Sequence, residues 1–177
     1  MTVHIAFLRA INVGGHTVKM DHLRGLFQAL GYAEVETFIA SGNVIFQASV
    51  EATRALEQQI ETDLRESLGY EVATFVRTTA ELANVAAYQP FPQEEIERNT
   101  LYIGFLQAPP GDEALRKLTA LQTPLDDFHV HKRELYWLCR TTISQSKVSG
   151  AQIERALGMP TTLRNVTTVR KLAAKYP

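Results

Sequence analysis

An α+β fold is predicted, built from two small successive units packed as one compact unit, and three observations predict it. Over residues 1–78, Val-, Ile- and Phe-rich runs alternate with stripes of helical period in the order strand, helix, strand, strand, helix, strand. Residues 79–177 repeat most of that order, as strand, helix, strand, strand, helix, followed by a terminal helix. Paired strand runs are joined by short polar turns at 41–43 and 132–133. The βαββαβ-type order is the ferredoxin-like, or alpha-beta plait, unit. Two ferredoxin-like subdomains are expected, at 1–78 and at 79–177 with its terminal helix.

Element by element, residues 3–11 read as the first strand. A helix over 19–30 places Met20, Leu23, Phe27 and Leu30 on one face and stops at Gly31. Residues 33–40 and 43–48 form a hairpin. Ser49 is expected to cap a helix whose stripe of Leu56, Ile60, Leu64 and Leu68 recurs every fourth residue and ends at Gly69. Residues 71–77 give the fourth strand, and Thr78-x-x-Glu81 is a capping box for a short helix to about Ala87. Tyr88-Gln-Pro-Phe-Pro-Gln93 reads as a linker.

Residues 99–107 read as a strand, and the helix after Gly111 carries Leu115, Leu118 and Leu121. A second hairpin spans 126–131 and 134–140. Ser149-x-x-Gln152 opens a helix that Gly158 and Pro160 stop. Thr161 to Asn165 reads as a turn opening a last helix with Val166, Val169 and Leu172.

Composition bounds the function. With 45% apolar and 21% charged residues, the chain can bury a core; its net charge of −1 supplies no global field for nucleic acid or an anionic membrane. One cysteine excludes an intrachain disulfide. Residues 1–15 lack a signal-peptide pattern and no apolar run reaches membrane-spanning length, so a cytoplasmic protein with no membrane partner is expected.

The candidate site lies where the expected topology brings two loops together, residues 12–19 after the first strand and 41–43 at the hairpin. It gathers Asn12, Lys19, Ser41 and Asn43 with the backbone N–H groups of Gly14 and Gly15, ahead of a helix. Glycine admits close approach of a ligand, and a helix N-terminus favours an anion. As ordinary chain chemistry, Ser-Gly-Asn is also hairpin material and Asn12 a turn former. Arg9 is a ligand candidate or a structural pairing partner. The segment is no P-loop or dinucleotide fingerprint, because the required glycines and the Gly-Lys-Ser/Thr end are missing. Arg164 and Asn165 form a second candidate, an arginine beside a helix start.

Other signals are weaker. His129 and His131 share a strand face but lack further metal ligands, so no metal is expected, and Cys139 reads as a buried thiol. Leu101-Tyr-Ile-Gly-Phe-Leu106 has the pattern of an RNA-recognition strand. Its partner segment, with Trp137, lacks the expected glycine, so nucleic acid is not the expected partner.

The combination Arg9-Ala-Ile-Asn-Val-Gly-Gly15, Lys19-Met20, Gly31, Ser41-Gly-Asn43 and Thr162-Leu-Arg-Asn165, with Thr168 and Leu172, resembles the DUF1697 family of bacterial proteins of unknown function. The resemblance covers nearly the whole chain. It implies two ferredoxin-like α/β subdomains in a cytoplasmic protein and implies no activity. From the convergence of the two polar loops, the expected function is binding of a small anionic ligand, a nucleotide or phosphorylated metabolite, at the polar end of the first sheet. The alternatives are nucleic-acid binding through an exposed sheet face and a protein-interaction module. No general base is identifiable, no cofactor is expected, and the sequence assigns no oligomeric state.

Overall fold

The computed structural model describes residues 1–11, 17–39, 42–49 and 52–177. The chain divides into two units, Met1–Leu82 with Tyr176–Pro177, and Ala83–Lys175. The expected boundary at 78/79 coincides with the start of the helix that the division crosses.

The first unit contains β1 (Thr2–Leu8), α1 (Met20–Ala29), β2 (Ala33–Thr37), β3 (Asn43–Ala48), α2 (Thr53–Leu68) and β4 (Thr74–Thr78). Its sheet has the order β2-β3-β1-β4, with every neighbour antiparallel. Alternate strand residues Ala6, Leu8, Val44, Phe46 and Val76 pack with Leu23 and Phe27 of α1 and Leu56, Ile60 and Leu64 of α2. Burial of each such large side chain contributes roughly 1.5–3 kcal/mol. Residues on the other face, Ile5, Phe7, Ile45 and Phe75, are also fully or almost fully buried.

After α3 (Thr79–Ala87) come α4 (Gln93–Arg98), β5 (Thr100–Phe105), α5 (Asp112–Thr119), β6 (Asp126–His131), β7 (Glu134–Cys139), α6 (Gly150–Leu157), β8 (Thr162–Asn165) and α7 (Val166–Lys175). The second sheet runs β6-β7-β5-β8, the same antiparallel arrangement with the same central strands. Its core gathers Leu106, Leu118, Phe128, Leu135, Trp137, Ile153 and Leu157. Two ferredoxin-like units are thus present.

Local chemistry explains the boundaries. Gly69 and Gly158 end their helices at φ 83° and 69°, where a Cβ would be strained. Both capping boxes form: Glu81 N–H donates to Thr78 Oγ1 while Thr78 N–H donates to Glu81 Oε2, and Ser149 and Gln152 exchange the same pair of bonds.

Several expectations change. The Thr161–Asn165 stretch is the fourth strand of its unit and not a turn, with Tyr102 opposite Asn165 and Phe105 opposite Thr162. The first strand ends at Leu8, and Ala10 follows at φ 54°. The second helix starts at Thr53 behind Ala52 without a side-chain cap, so Ser49 does not cap it. The linker also ends sooner, because α4 begins at Gln93, just after Pro92 fixes the backbone.

The free edge of β4 is chemically closed. The outward N–H groups of Thr74, Val76 and Thr78 donate to Glu61 Oε1 (3.1 Å), Glu57 Oε1 (2.9 Å) and Glu81 Oε2 (2.9 Å). Acceptors from α2 and α3 thereby satisfy the donors that an edge strand otherwise presents to another chain.

Candidate functional site

The exit of β1 and the β2–β3 hairpin meet at one end of the first sheet. Phe7 stands opposite Asn43, and Leu8 N–H donates to Gly42 O at 2.9 Å. Gly42, at φ 80°, lies so close that a Cβ there would sit 2.7 Å from Ile11 Cγ2 and 3.2 Å from Leu8 Cβ. Only glycine fits this contact. Asn12, Gly14, Gly15 and Ser41 lie outside the described residues, but both loops leave from this one end of the sheet.

Of the described candidates, Arg9 and Lys19 are exposed. Arg9 N–H donates to Ala73 O at 2.9 Å, which fixes the backbone where β1 ends. Lys19 is the N-cap of α1, in extended conformation and without a side-chain cap; its carbonyl accepts the Leu23 N–H. The remaining first-turn amides of α1 are the type of donor that attracts anions. Ile39, β-branched, half exposed and at φ 59°, sits in the same hairpin loop, a backbone conformation rare for its residue type.

Asn43 has a different role from the one expected. It is completely buried, and its Nδ2 donates to Phe38 O at 2.9 Å while its own carbonyl accepts the Phe38 N–H. The side-chain amide closes the hairpin, so its chemistry is spent inside the fold.

Arg164 and Asn165 are likewise absorbed by the second unit. Arg164 is 8% exposed; its Nη1 donates to Thr162 Oγ1 (2.8 Å) and Leu163 O (3.0 Å). Burial pushes its guanidinium down to about 10. Asn165 Oδ1 accepts the Thr167 N–H at 2.9 Å and caps α7.

The two aromatic residues that base stacking would use differ in exposure. Trp137 is fully buried, with its indole N–H donating to Asp126 Oδ1. The same carboxylate accepts Ser146 Oγ–H and Thr123 Oγ1–H. Tyr102 is half-buried, its ring centroid 5.5 Å from that of Trp137. Cys139 is buried and its thiol donates to Thr141 O. Among the described residues, no group of three or more His, Cys, Asp or Glu could hold a metal ion. No helix among them is long and apolar enough to cross a membrane.

Sequence reasoning missed two polar clusters. Glu57 and Arg77 are both fully buried, with Nη1 3.8 Å from Oε1. Arg77 sits between apolar residues of β4, and Glu57 follows Leu56 of the buried stripe; these neighbours were the available signal. The other cluster surrounds Tyr88, within the stretch expected to be linker. Between α1 and α2, a groove of about 350 Å³ is lined by Leu30, Gln58, Gln59, Thr62, Asp63 and Glu66. Its two carboxylates are wrong for an anion.

A family model described as "Protein of unknown function (DUF1697)" matches residues 1–136. The structure of a conserved bacterial protein, SP0830 from Streptococcus pneumoniae, is similar with a TM-score of 0.78 and 21% identity, covering 99% of each chain. At that identity the likeness speaks for the fold alone. No curated protein matches the chain.

Proposed function

Since the chain belongs to the DUF1697 family of proteins of unknown function, we propose that it binds a small anionic ligand, a nucleotide or phosphorylated metabolite, at the polar end of the first sheet. One observation carries the reading: β1 and β3 bring the flanks of the two polar loops together through the Leu8–Gly42 contact. Two exposed cations, Arg9 and Lys19, border the first loop. The N-terminus of α1, lacking a side-chain cap, follows directly. The ligand contacts then come from Arg9, Lys19, the α1 amides and the loops themselves. Asn43, Arg164 and Asn165 act structurally. No reaction is assigned to the site.

A thermal-shift series with inorganic phosphate, nucleotides and sugar phosphates tests the reading. A ligand that binds only the folded state stabilises it by about 2.7 kcal/mol at a hundredfold excess over Kd. Lys19→Ala should remove much of that gain and leave the unliganded protein nearly unchanged, since an exposed lysine contributes little stability. Absence of any shift at millimolar anion, or a full shift in Lys19→Ala, would reject the site.

A further inference from the structure

A cluster in the second unit joins the segment after α3 to the edge strand β6. Tyr88 Oη lies 2.7 Å from His129 Nε2. The Tyr88 ring stacks on His131 at a centroid distance of 4.1 Å and an interplanar angle of 9°. Tyr136 of β7 flanks Tyr88 at 5.2 Å, and Phe91 meets His129 nearly at right angles. Period-two alternation sets this arrangement: His129 and His131 share one face of β6, with Tyr136 and Glu134 opposite them on β7.

Beyond the cluster, the segment is held by Ile96, which is buried, and by Arg140. That arginine bridges Asp127 of β6 (2.7 Å) and Glu95 of α4 (3.3 Å). Within residues 88–92, the rings of Tyr88 and Phe91 make their contacts with the two imidazoles of β6 and with Tyr136. We propose that Tyr88, His129 and His131 form a proton-operated latch, which holds the 88–92 segment on β6 at neutral pH and releases it on acidification.

The physical basis is the Tyr88–His129 bond. With Nε2 unprotonated, the phenol donates to it. A proton on Nε2 abolishes that acceptor and places a cation among Tyr88, Phe91 and Tyr136, beside a second imidazole. The charged groups nearby are Asp127 on the same face of β6, engaged by Arg140, and Glu134 opposite His131, whose carboxylate accepts the Arg133 N–H. Glu95 on α4 is also engaged by Arg140. Against these, burial first and His131 second hold the His129 imidazole below its ordinary 6.5. The released segment leaves His129 in water, where it takes a proton more readily. Acid therefore favours release, and the ratio of released to latched forms rises by up to about tenfold per pH unit below 6.5, until the latched form itself is protonated.

Proton NMR of the full chain between pH 7.5 and 5 reads this directly. In the parent protein the Tyr88 ring resonances, displaced by the stacked His131, should move to random-coil positions as His129 titrates. His129→Gln keeps an acceptor and cannot titrate, so its Tyr88 resonances should stay displaced to pH 5. In Tyr88→Phe the His129 midpoint should rise toward 6.5, a readout that does not depend on how well the first variant folds. Tyr88 resonances unmoved in the parent, identical movement in His129→Gln, or an unchanged His129 midpoint in Tyr88→Phe would each overturn the latch.

Discussion

Arg77 and Arg164 occupy the same position in the two units. Each lies in the fourth strand opposite an isoleucine of the first, Ile5 and Ile103. Each is buried and donates from Nη1 to the carbonyl of the residue before it, Val76 or Leu163. The next residue, Thr78 or Asn165, caps a helix that starts at once. The equivalence identifies the recurring unit more sharply than the apolar patterning does.

Arg77 faces the carboxylate of Glu57, and removing it should cost stability. Breaking a buried ion pair typically costs about 3–5 kcal/mol. The Arg77→Met variant is expected near the lower end, because Arg54 and the Val76 N–H still hold Glu57. Combining it with Glu57→Gln should recover part of the loss. Urea unfolding of the parent, the two single variants and the double variant checks the loss and its partial recovery.

Glu61 accepts the outward N–H of Thr74. Glu61→Ala should therefore lower stability by about 1–2 kcal/mol, the cost of leaving a partly buried donor unmatched. It also reopens part of the β4 edge, so light scattering on warming should rise earlier than in the parent.

Tyr32 gives a pH dependence. Burial, then the charge of Asp63, pushes its phenol up to about 12 from 10.0, and its O–H donates to Gln59 Oε1 at 2.9 Å. The folded state thus holds the proton more tightly than the unfolded state. This contribution is fully present below pH 10 and is lost as pH rises from about 10 toward 12. Alkaline unfolding should be less steep in Tyr32→Phe, which should lose roughly 0.5–1.5 kcal/mol at neutral pH through the missing hydrogen bond.

Gly104 marks a close approach of strands. A Cβ there would lie 2.8 Å from Thr161 Oγ1 and 3.2 Å from Leu163 Cδ2, and Thr161 Oγ1 donates to Phe105 O at 2.9 Å. Gly104→Ala is expected to push β8 away from β5 and cost roughly 1–3 kcal/mol. Faster amide exchange at Leu163 and Arg164 would locate the damage.

Much of the fold was legible in the residues because its signals are local. Thr78–Glu81 and Ser149–Gln152 satisfy helix donors within four residues, and Gly69 and Gly158 supply a conformation that other residues avoid. The β6–β7 hairpin showed itself as two strand-like runs on either side of Lys132-Arg133. By contrast, β8 is four residues long with an arginine inside, too short to establish a period; its pairing with β5 makes it a strand. The helix α4 was hidden behind two prolines, although Pro92 is well suited to precede a helix.

The site was less legible for a different reason. Asn43, Arg164 and Lys19 are all plausible ligand contacts as residue types. Whether a polar side chain is available depends on partners remote from the loop that suggests it. Phe38 O engages Asn43, and Thr162 engages Arg164. For Arg77, the sequence showed a charge in an apolar strand, while its carboxylate partner lay on a helix earlier in the chain.

The three carboxylates along β4 make the first sheet one-sided. Growth of a fibril by strand addition requires each copy to accept a neighbour at one edge and offer a second edge to the next. With β4 sealed, only the β2 side of this sheet remains for such pairing, and the register there is interrupted between Ala33 and Glu36. Two copies joined through β2 would present a sealed β4 at both ends. In polymer terms the first sheet of each copy is a monofunctional monomer, so edge-to-edge assembly through that sheet terminates at a dimer.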